Sequence, residues 1–98
     1  MPTPFFELGT TLVSRAAYSL LSRAGVSAAE LLDEHTNLIP KHAQALDFAE
    51  RLTAIFDQGQ VTTRFRVGLF HPLPHVVEVL AITHAGHQLT YLLLPHEL

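Results

Sequence analysis

The chain has 98 residues, of which 48% are hydrophobic and 15% are charged, and it contains seven histidines but no cysteine. This length and apolar content predict one folded domain over residues 1–98, and the missing thiols exclude disulfides, Fe–S clusters and cysteine nucleophiles. Nine acidic residues outnumber six Lys and Arg, and the resulting net charge of -3 argues against a general nucleic-acid binder.

The N-terminal segment predicts neither export nor membrane insertion. It lacks the basic region and the long apolar run of a signal peptide. The longest apolar stretches, 76–82 and 92–94, are far shorter than the roughly 18 residues of a spanning helix, and they are typical of buried strands. We therefore expect a cytoplasmic protein.

Residues 5–13 favour a short strand because apolar and β-branched residues dominate its second half. Ser14 can then cap a helix over Arg15–Ala24, whose alanines and leucines share one side. Gly25 stands where a left-handed residue commonly ends a helix. The helical part of the chain is thus expected to begin at residue 14.

Two further helices are predicted up to about residue 58. Ser27 and Glu30 form a capping box that opens a short helix ending near residues 35–37. Pro40 suits the first turn of a third helix that runs to about Asp57. The apolar face of this third helix comprises Ala45, Leu46, Phe48, Ala49, Leu52, Ile55 and Phe56.

The sequence period changes from helical to two-residue after Gly59, so residues 60–95 predict β structure. Residues 61–69 alternate between apolar and polar, and two apolar strands over 76–84 and 87–94 flank a predicted two-residue turn at Ala85-Gly86. The predicted fold is α+β. Three N-terminal helices pack on one face of an antiparallel sheet of three strands, or of four if the N-terminal segment joins it.

Both faces of the predicted hairpin are apolar. One face must meet the helices, so the other predicts a surface for a host protein or for a second copy in a homodimer. Arg64 and Arg66 point to one side of the preceding strand. The candidate interaction surface comprises Arg64, Arg66, Leu80, Ile82 and Tyr91.

Five histidines fall at the two ends of the predicted hairpin. With a turn at Ala85-Gly86, His84 faces His87, and His75 faces His96 with His71 one loop away. Three imidazoles with an open position could hold zinc, so a metal-binding or hydrolytic module using His71, His75 and His96 is an alternative function. The other interpretation is that these are ordinary strand-end and loop histidines.

The two remaining histidines lie in the helical half of the chain. His35 is expected at a helix end, where the helix dipole favours a cation. His42 lies on the apolar arc of the predicted third helix, at the edge of the core. We assign neither a chemical role.

The segment from Leu20 to Leu32 resembles the helix-turn-helix corner of bacterial repressors, with Gly25 at the turn and Ser27 as the cap. The helix that would read DNA carries three acids before His35 and no Arg, Lys, Asn or Gln, so it would repel phosphates. A nucleic-acid-binding regulator, using this corner or Arg64 and Arg66, is a further alternative. The acidic helix favours a structural corner instead.

The sequence predicts no enzymatic activity and no cofactor. It contains no Gly-x-Ser-x-Gly elbow and no Gly-rich phosphate loop. Its carboxylate pairs fall on predicted helix surfaces, where water solvates them.

Three segments, Phe6–Ser14, Glu30–His35 and Ala81–Leu98, resemble a group of small uncharacterised bacterial proteins found on plasmids and in accessory regions. The resemblance implies carriage by a mobile element and no known chemistry. Together with the apolar hairpin, it favours a small non-enzymatic interaction protein of a phage, plasmid or genomic island. Such a protein would inhibit or modulate a host complex, for instance a defence system.

Overall fold

The computed structural model describes residues 6–37, 41–43, 51, 53, 55, 57, 59–70 and 72–97. Its fold is α+β, as predicted, and the N-terminal segment does contribute a fourth strand. In chain order the elements are β1 (Thr10–Val13), α1 (Arg15–Ala24), α2 (Ala28–Asn37), β2 (Val61–Leu69), β3 (His75–Thr83), β4 (Leu89–Leu93) and a 3-10 turn (Pro95–Glu97). No helix within the described residues is long and apolar enough to cross a membrane.

The ends of α1 and α2 follow from the capping residues seen in the sequence. The Ser14 hydroxyl accepts a hydrogen bond from the Ala17 N–H at 3.1 Å, and Gly25 ends α1 in the left-handed region at φ 71°. The Ser27 hydroxyl accepts from the Glu30 N–H at 3.1 Å and opens α2. Both helices therefore occupy the predicted spans.

The predicted third helix, from Pro40 to about Asp57, lies largely outside the described residues. Arg51, Thr53 and Ile55 are helical, and the Asp57 N–H donates to the Thr53 carbonyl at 3.0 Å. These residues lie within the span that the sequence predicts. The predicted start was wrong, however, because Lys41 and His42 form a turn and Ala43 forms a β-bridge with Phe65, so His42 does not lie on a helix.

The sheet is mixed, with strand order β1-β4-β3-β2. β2, β3 and β4 form the predicted antiparallel meander, but β1 pairs parallel to β4, so the prediction of a wholly antiparallel sheet was wrong for this pair. The connection through α1 and α2 carries the chain back across the sheet, so β1 and β2 run in the same direction. β4 runs parallel to β2 because only β3 lies between them.

The helices cover the sheet face that bears Val77, Val79, Leu92 and Leu94. This settles which of the two apolar hairpin faces meets the helical layer. The buried core comprises Ala17, Leu20, Leu21, Leu31, Ala43, Phe65, Val67, Leu69, Val79, Ala81, Leu92 and Leu94.

The register of the β3–β4 hairpin differs by two residues from the predicted one. Thr83 pairs with Thr90 and Leu80 with Leu93, and the connection contains four residues, 85–88, rather than two. His87 adopts a positive φ of 56°, which the longer loop needs and which the two-residue turn did not anticipate. Because the shift is an even number of residues, every side chain keeps its predicted face.

Gly9 lets β1 enter the sheet beside this loop. Its φ is +66°, and a Cβ at this position would lie 2.3 Å from the backbone of Gln88. The next residue, Thr10, donates its N–H to the Gln88 carbonyl at 3.0 Å. Only glycine accommodates both the backbone conformation and the close approach.

Candidate interaction face

The sheet face opposite the helices carries a continuous apolar strip. Thr62, Ile82, Tyr91 and Leu12 are cross-strand neighbours in one row, and Arg64, Leu80 and Leu93 form the next row. None of the described helices packs on this face, which we call the open face and define by Leu12, Arg64, Arg66, Leu80, Ile82, Tyr91 and Leu93.

Exposure increases across the open face from its centre toward β1. Leu80 and Ile82 are 5% and 7% exposed, whereas Leu12 is 45% exposed. Tyr91 and Leu93, on the strand between, are half-buried. Most of the apolar area that a partner could still bury therefore lies on the β4 and β1 side of the strip.

Two arginines border the strip on β2. Arg64 and Arg66 are both exposed, and the nearest acid is Glu78 on β3, whose carboxylate lies 4.0 Å from Nε of Arg64. Within the described part of the open face, one carboxylate thus stands beside two guanidinium groups. This border is cationic although the chain has a net charge of -3.

The structure therefore brings all five residues of the predicted interaction surface to one face. Arg64 is the direct neighbour of Leu80, and Ile82 is the direct neighbour of Tyr91. Leu12 and Leu93 were not among the predicted residues. Leu93 had a signal in the sequence, since it shares the two-residue period of Tyr91, but the position of Leu12 depended on a parallel pairing that periodicity does not reveal.

A cavity of about 270 Å³ lies at the β1 end of the open face. Its lining residues are Leu12, Val13, Ser14, Tyr91, Leu93 and Glu97. The Ser14 hydroxyl donates to the Glu97 carboxylate at 2.6 Å, and the Leu94 N–H donates to the same oxygen at 2.8 Å. These two hydrogen bonds lower the pKa of Glu97 below its ordinary value. An ionised carboxylate, fixed in position by Ser14 and Leu94, therefore lines one end of the apolar cavity.

The histidines proposed as metal ligands are not brought together as the sequence predicted. His75 opens β3 opposite Leu69 and its ring donates to the Leu73 carbonyl at 2.7 Å, whereas His96 lies in the 3-10 turn. The third candidate, His71, is outside the described residues. No group of three His, Asp or Glu side chains within the described ranges could hold a metal ion. The predicted facing of His75 and His96 fails because β3–β4 pairing ends at Leu93.

The pair predicted at the hairpin turn is also separated. His84 packs edge-on against Tyr91, with ring centroids 5.6 Å apart, and so extends the open face. His87 instead contacts the carbonyl of Gly59 through Nε2 at 3.0 Å and lies 5.3 Å from the Phe6 ring. The longer loop places the two imidazoles on different sides of the sheet.

His35 lies in the last turn of α2, as predicted, but its ring is at the centre of a buried polar network. It is fully buried, with Nδ1 2.6 Å from the Thr63 hydroxyl and Nε2 2.8 Å from the Thr83 hydroxyl. The Phe6 ring packs edge-on against it at 5.0 Å. The expectation of a dipole-stabilised cation was wrong because α2 turns this residue toward the sheet.

Hydrogen-bond donors run in one direction through this network. The carbonyl of Leu8 only accepts, so the Thr90 hydroxyl donates to it at 2.7 Å. The Thr83 hydroxyl must then donate to Thr90, also at 2.7 Å. Nε2 of His35 consequently carries a proton and donates it to Thr83.

The other end of the network accommodates a neutral ring. The Thr63 hydroxyl accepts from Arg51 at 3.1 Å and can donate its own proton to Nδ1 of His35. A neutral imidazole then carries its proton on Nε2. Burial, with smaller effects of the Arg51 and His87 charges, lowers the pKa of His35 to about 3.

A buried carboxylate holds His42 against the edge of β2. Glu34 is buried, and its Oε2 lies 2.6 Å from Nδ1 of His42, while its Oε1 accepts the N–H groups of His42 and Ala43 at 2.5 and 3.2 Å. The His42 carbonyl in turn accepts the Arg66 N–H at 3.0 Å. Residues 42 and 43 thus lie along the outer edge of β2, and His42 is half-buried, as expected for a residue at the edge of the core.

The corner at Gly25 presents an acidic helix to solvent. On α2, Ala29 and Asp33 are exposed, and Glu30 pairs with Lys41 at 3.0 Å. That contact lowers the pKa of Glu30, so the carboxylate is ionised. This arrangement offers no cationic surface to a phosphate backbone along α2.

In class, the chain is a small α+β protein whose mixed sheet has one helix-covered face and one face on which none of the described helices packs. No protein-family model matches the chain, and neither a curated protein nor a solved structure shows significant similarity to it.

Proposed function

We propose that this chain is a small, non-enzymatic, cytoplasmic protein-interaction module that binds a bacterial host protein through the open face. We further propose that it is carried by a mobile element, such as a phage, plasmid or island, and that binding inhibits or modulates a host complex such as a defence system. The supporting observation is the apolar strip with a cationic border on the sheet face opposite the helices.

The composition of the open face suits protein recognition. Tyrosine and arginine are enriched among residues that contribute most to binding. Tyr91 lies within the strip, and Arg64 and Arg66 border it. Burying the exposed part of Leu12 contributes about 1 kcal/mol, and the β4 side chains add comparable amounts. An interface of standard size covers about 800 Å² of each partner, which requires most of the four-stranded face.

The charges of the border select the partner. Glu78 lies 4.0 Å from Arg64 and is the cross-strand neighbour of Arg66, so an acidic group on the partner can bind the guanidinium groups that this one carboxylate leaves available. We therefore propose a partner surface that places Asp or Glu beside an apolar patch.

The test is binding by variants of the open face. Tagged protein is used to isolate its partner from the host bacterium, and the affinity of the purified pair is then measured by calorimetry. Leu12→Glu should weaken binding at least tenfold, because a charge would be buried in the strip. Tyr18→Glu is the matched control, since Tyr18 is exposed on α1. Equal affinities for the two variants would refute the assignment of the surface.

The mobile-element part of the proposal has its own test. Genes of a phage, plasmid or island are expected to flank the coding sequence. A conserved chromosomal operon of housekeeping genes at that position would contradict it.

A further inference from the structure

The edge of β3 between His75 and Val79 has no neighbouring strand among the described residues. β3 pairs with β2 along its whole length, but its pairing with β4 begins only at Leu80. β4 ends at Leu93, and the following turn leads to Glu97, which is held beside Ser14 at the β1 side of the sheet. The first half of β3 therefore extends beyond β4 as one edge of a two-stranded arm.

The backbone groups of Val76 and Glu78 point out of this edge. His84 donates its N–H toward β4, and donors alternate along a strand, so even-numbered residues of β3 face that side. The Arg66 N–H, opposite Glu78, likewise points away from β3, which confirms the alternation. Two residues thus present two N–H and two C=O groups to an incoming strand.

Apolar side chains surround the end of the arm. Phe70, Leu73 and Val76 are 70%, 73% and 65% exposed. A cavity of about 330 Å³ opens beside the edge, lined by Arg66, Val76, Val77 and Glu78. Edge strands of monomers are usually protected by a covering element, by proline or by charge. Here Glu78 carries a charge, Pro74 precedes the segment and the 3-10 turn lies near β3, so the unprotected part of the edge is short.

We propose that two copies of this chain pair through these edges, antiparallel, about a two-fold axis at Val77. Val76 of each copy then exchanges both hydrogen bonds with Glu78 of the other, and two four-stranded sheets become one of eight strands. The two helical layers lie on the same side of the joined sheet.

The charge of Glu78 and the missing N–H of Pro74 favour this register, and they favour a second copy of the chain as the partner strand. A register centred on Glu78 would place two carboxylates opposite each other, and one centred on Val76 would place Pro74, which has no N–H, opposite Glu78. With the axis at Val77, each Glu78 remains beside its own Arg64 and lies opposite an apolar side chain. The segment is therefore complementary to itself without any change in the fold.

The pairing is confined to residues 75–79 of each copy. Continuing the register would place Pro74 of one copy opposite Leu80 of the other, whose outer side is occupied by Leu93, so the chain before His75 leaves the edge at this point. Within the paired segment, Val77 would extend the row that Val67 begins on the helix-covered face.

Sedimentation equilibrium of two Val76 variants tests this proposal. Val76→Pro removes an outward N–H without removing any hydrogen bond to β2, whereas Val76→Thr changes the side chain and keeps the N–H. The wild type should sediment as a dimer of twice 10.8 kDa, Val76→Thr should remain dimeric, and Val76→Pro should be monomeric with an unchanged circular dichroism spectrum. A wild type that is monomeric at concentrations on the order of 1 mM, or a dimeric Val76→Pro, would overturn it.

Disulfide trapping decides the matter if Val76→Pro does not fold. The chain has no cysteine, so Val77→Cys introduces one thiol, and the two thiols of a dimer would face each other with Cα atoms about 4.5 Å apart. We expect a reducible dimer for Val77→Cys and none for Val26→Cys, which is half-buried at the end of α1. Failure of Val77→Cys to cross-link would contradict the pairing. Neither variant alters Leu12 or Tyr91, so this test is independent of the proposed host-protein binding.

Discussion

Acidification from pH 8 to pH 5 should destabilise this protein through His35. The ring is neutral in the folded chain, where burial lowers its pKa to about 3, whereas in the unfolded chain the ring has its ordinary pKa of 6.5. The unfolded state therefore binds the extra proton, so the stabilising contribution is complete above pH 6.5 and is lost as the pH falls toward 3. Because pH 5 is 1.5 units below the unfolded-state pKa of 6.5, the free energy of unfolding should be lower at pH 5 by about 2 kcal/mol.

Urea unfolding at pH 8 and pH 5 measures this loss. The wild type is compared with His35→Gln, which does not titrate, and with His96→Gln, which removes an exposed imidazole from the 3-10 turn. The decrease in the free energy of unfolding between the two pH values should be smaller by about 2 kcal/mol in His35→Gln, whereas His96→Gln should behave as the wild type.

A direct titration of the ring complements the unfolding data and does not depend on the variant folding. In the NMR spectrum of the folded wild type, the His35 ring signals should not shift between pH 8 and pH 5. A His35 that titrates near pH 6.5 in the folded protein would refute the directional network and the neutral tautomer. If folded His35→Gln lost as much free energy of unfolding between pH 8 and pH 5 as the wild type does, the neutral tautomer would also be refuted.

Three further predictions concern the free energy of unfolding, measured with urea at pH 8. Gly9→Ala should lower the free energy of unfolding by at least about 2 kcal/mol, because the φ of Gly9 is positive and a Cβ would meet the Gln88 backbone. Gly68→Ala is the control, since the space around Gly68 is open, and it should change the free energy of unfolding by less than about 0.5 kcal/mol. Equal effects of the two substitutions would contradict the close approach at Gly9. Ser14→Ala should cost about 1 kcal/mol through the loss of the α1 cap, and no measurable loss would argue against the cap. Thr83→Val should cost about 1–3 kcal/mol by breaking the His35 network, and a neutral effect would contradict that network.

Local signals in the sequence predicted most of the secondary structure. Ser14 and Gly25 determine the bounds of α1 through hydrogen bonds within four residues, so capping chemistry alone locates them. The alternation over Val61–Leu69 likewise predicts β2, because one face is buried and the other is not. Such elements depend on near neighbours in the chain.

Long-range pairing was harder to predict. The parallel contact of Leu12 with Tyr91 joins residues far apart in sequence, and no local pattern states the direction in which β1 runs. The β3–β4 register depended on a turn whose length is set by Gly86 and the positive φ of His87, a conformation uncommon for residues other than glycine. An error of two residues preserved the faces but separated the histidine pairs.

The candidate site was predictable to the extent that it follows strand periodicity. Arg64, Leu80 and Tyr91 share the open face because side chains alternate along each strand. The two-residue shift of the β3–β4 register leaves each of them on that face. The interior role of His35 was not predictable, because its partners Thr63 and Thr83 come from two different strands. A polar residue within an amphipathic helix gives no sign of which strand hydroxyls it will meet.

The most direct test of the open face as the binding surface is photo-crosslinking in the host bacterium. A benzophenone amino acid is placed at Leu12, on the strip, or at Tyr18, on the exposed side of α1. Irradiation should give a discrete adduct of higher mass from position 12 and none from position 18. The absence of an adduct at position 12, or the same adduct from both positions, would contradict the account.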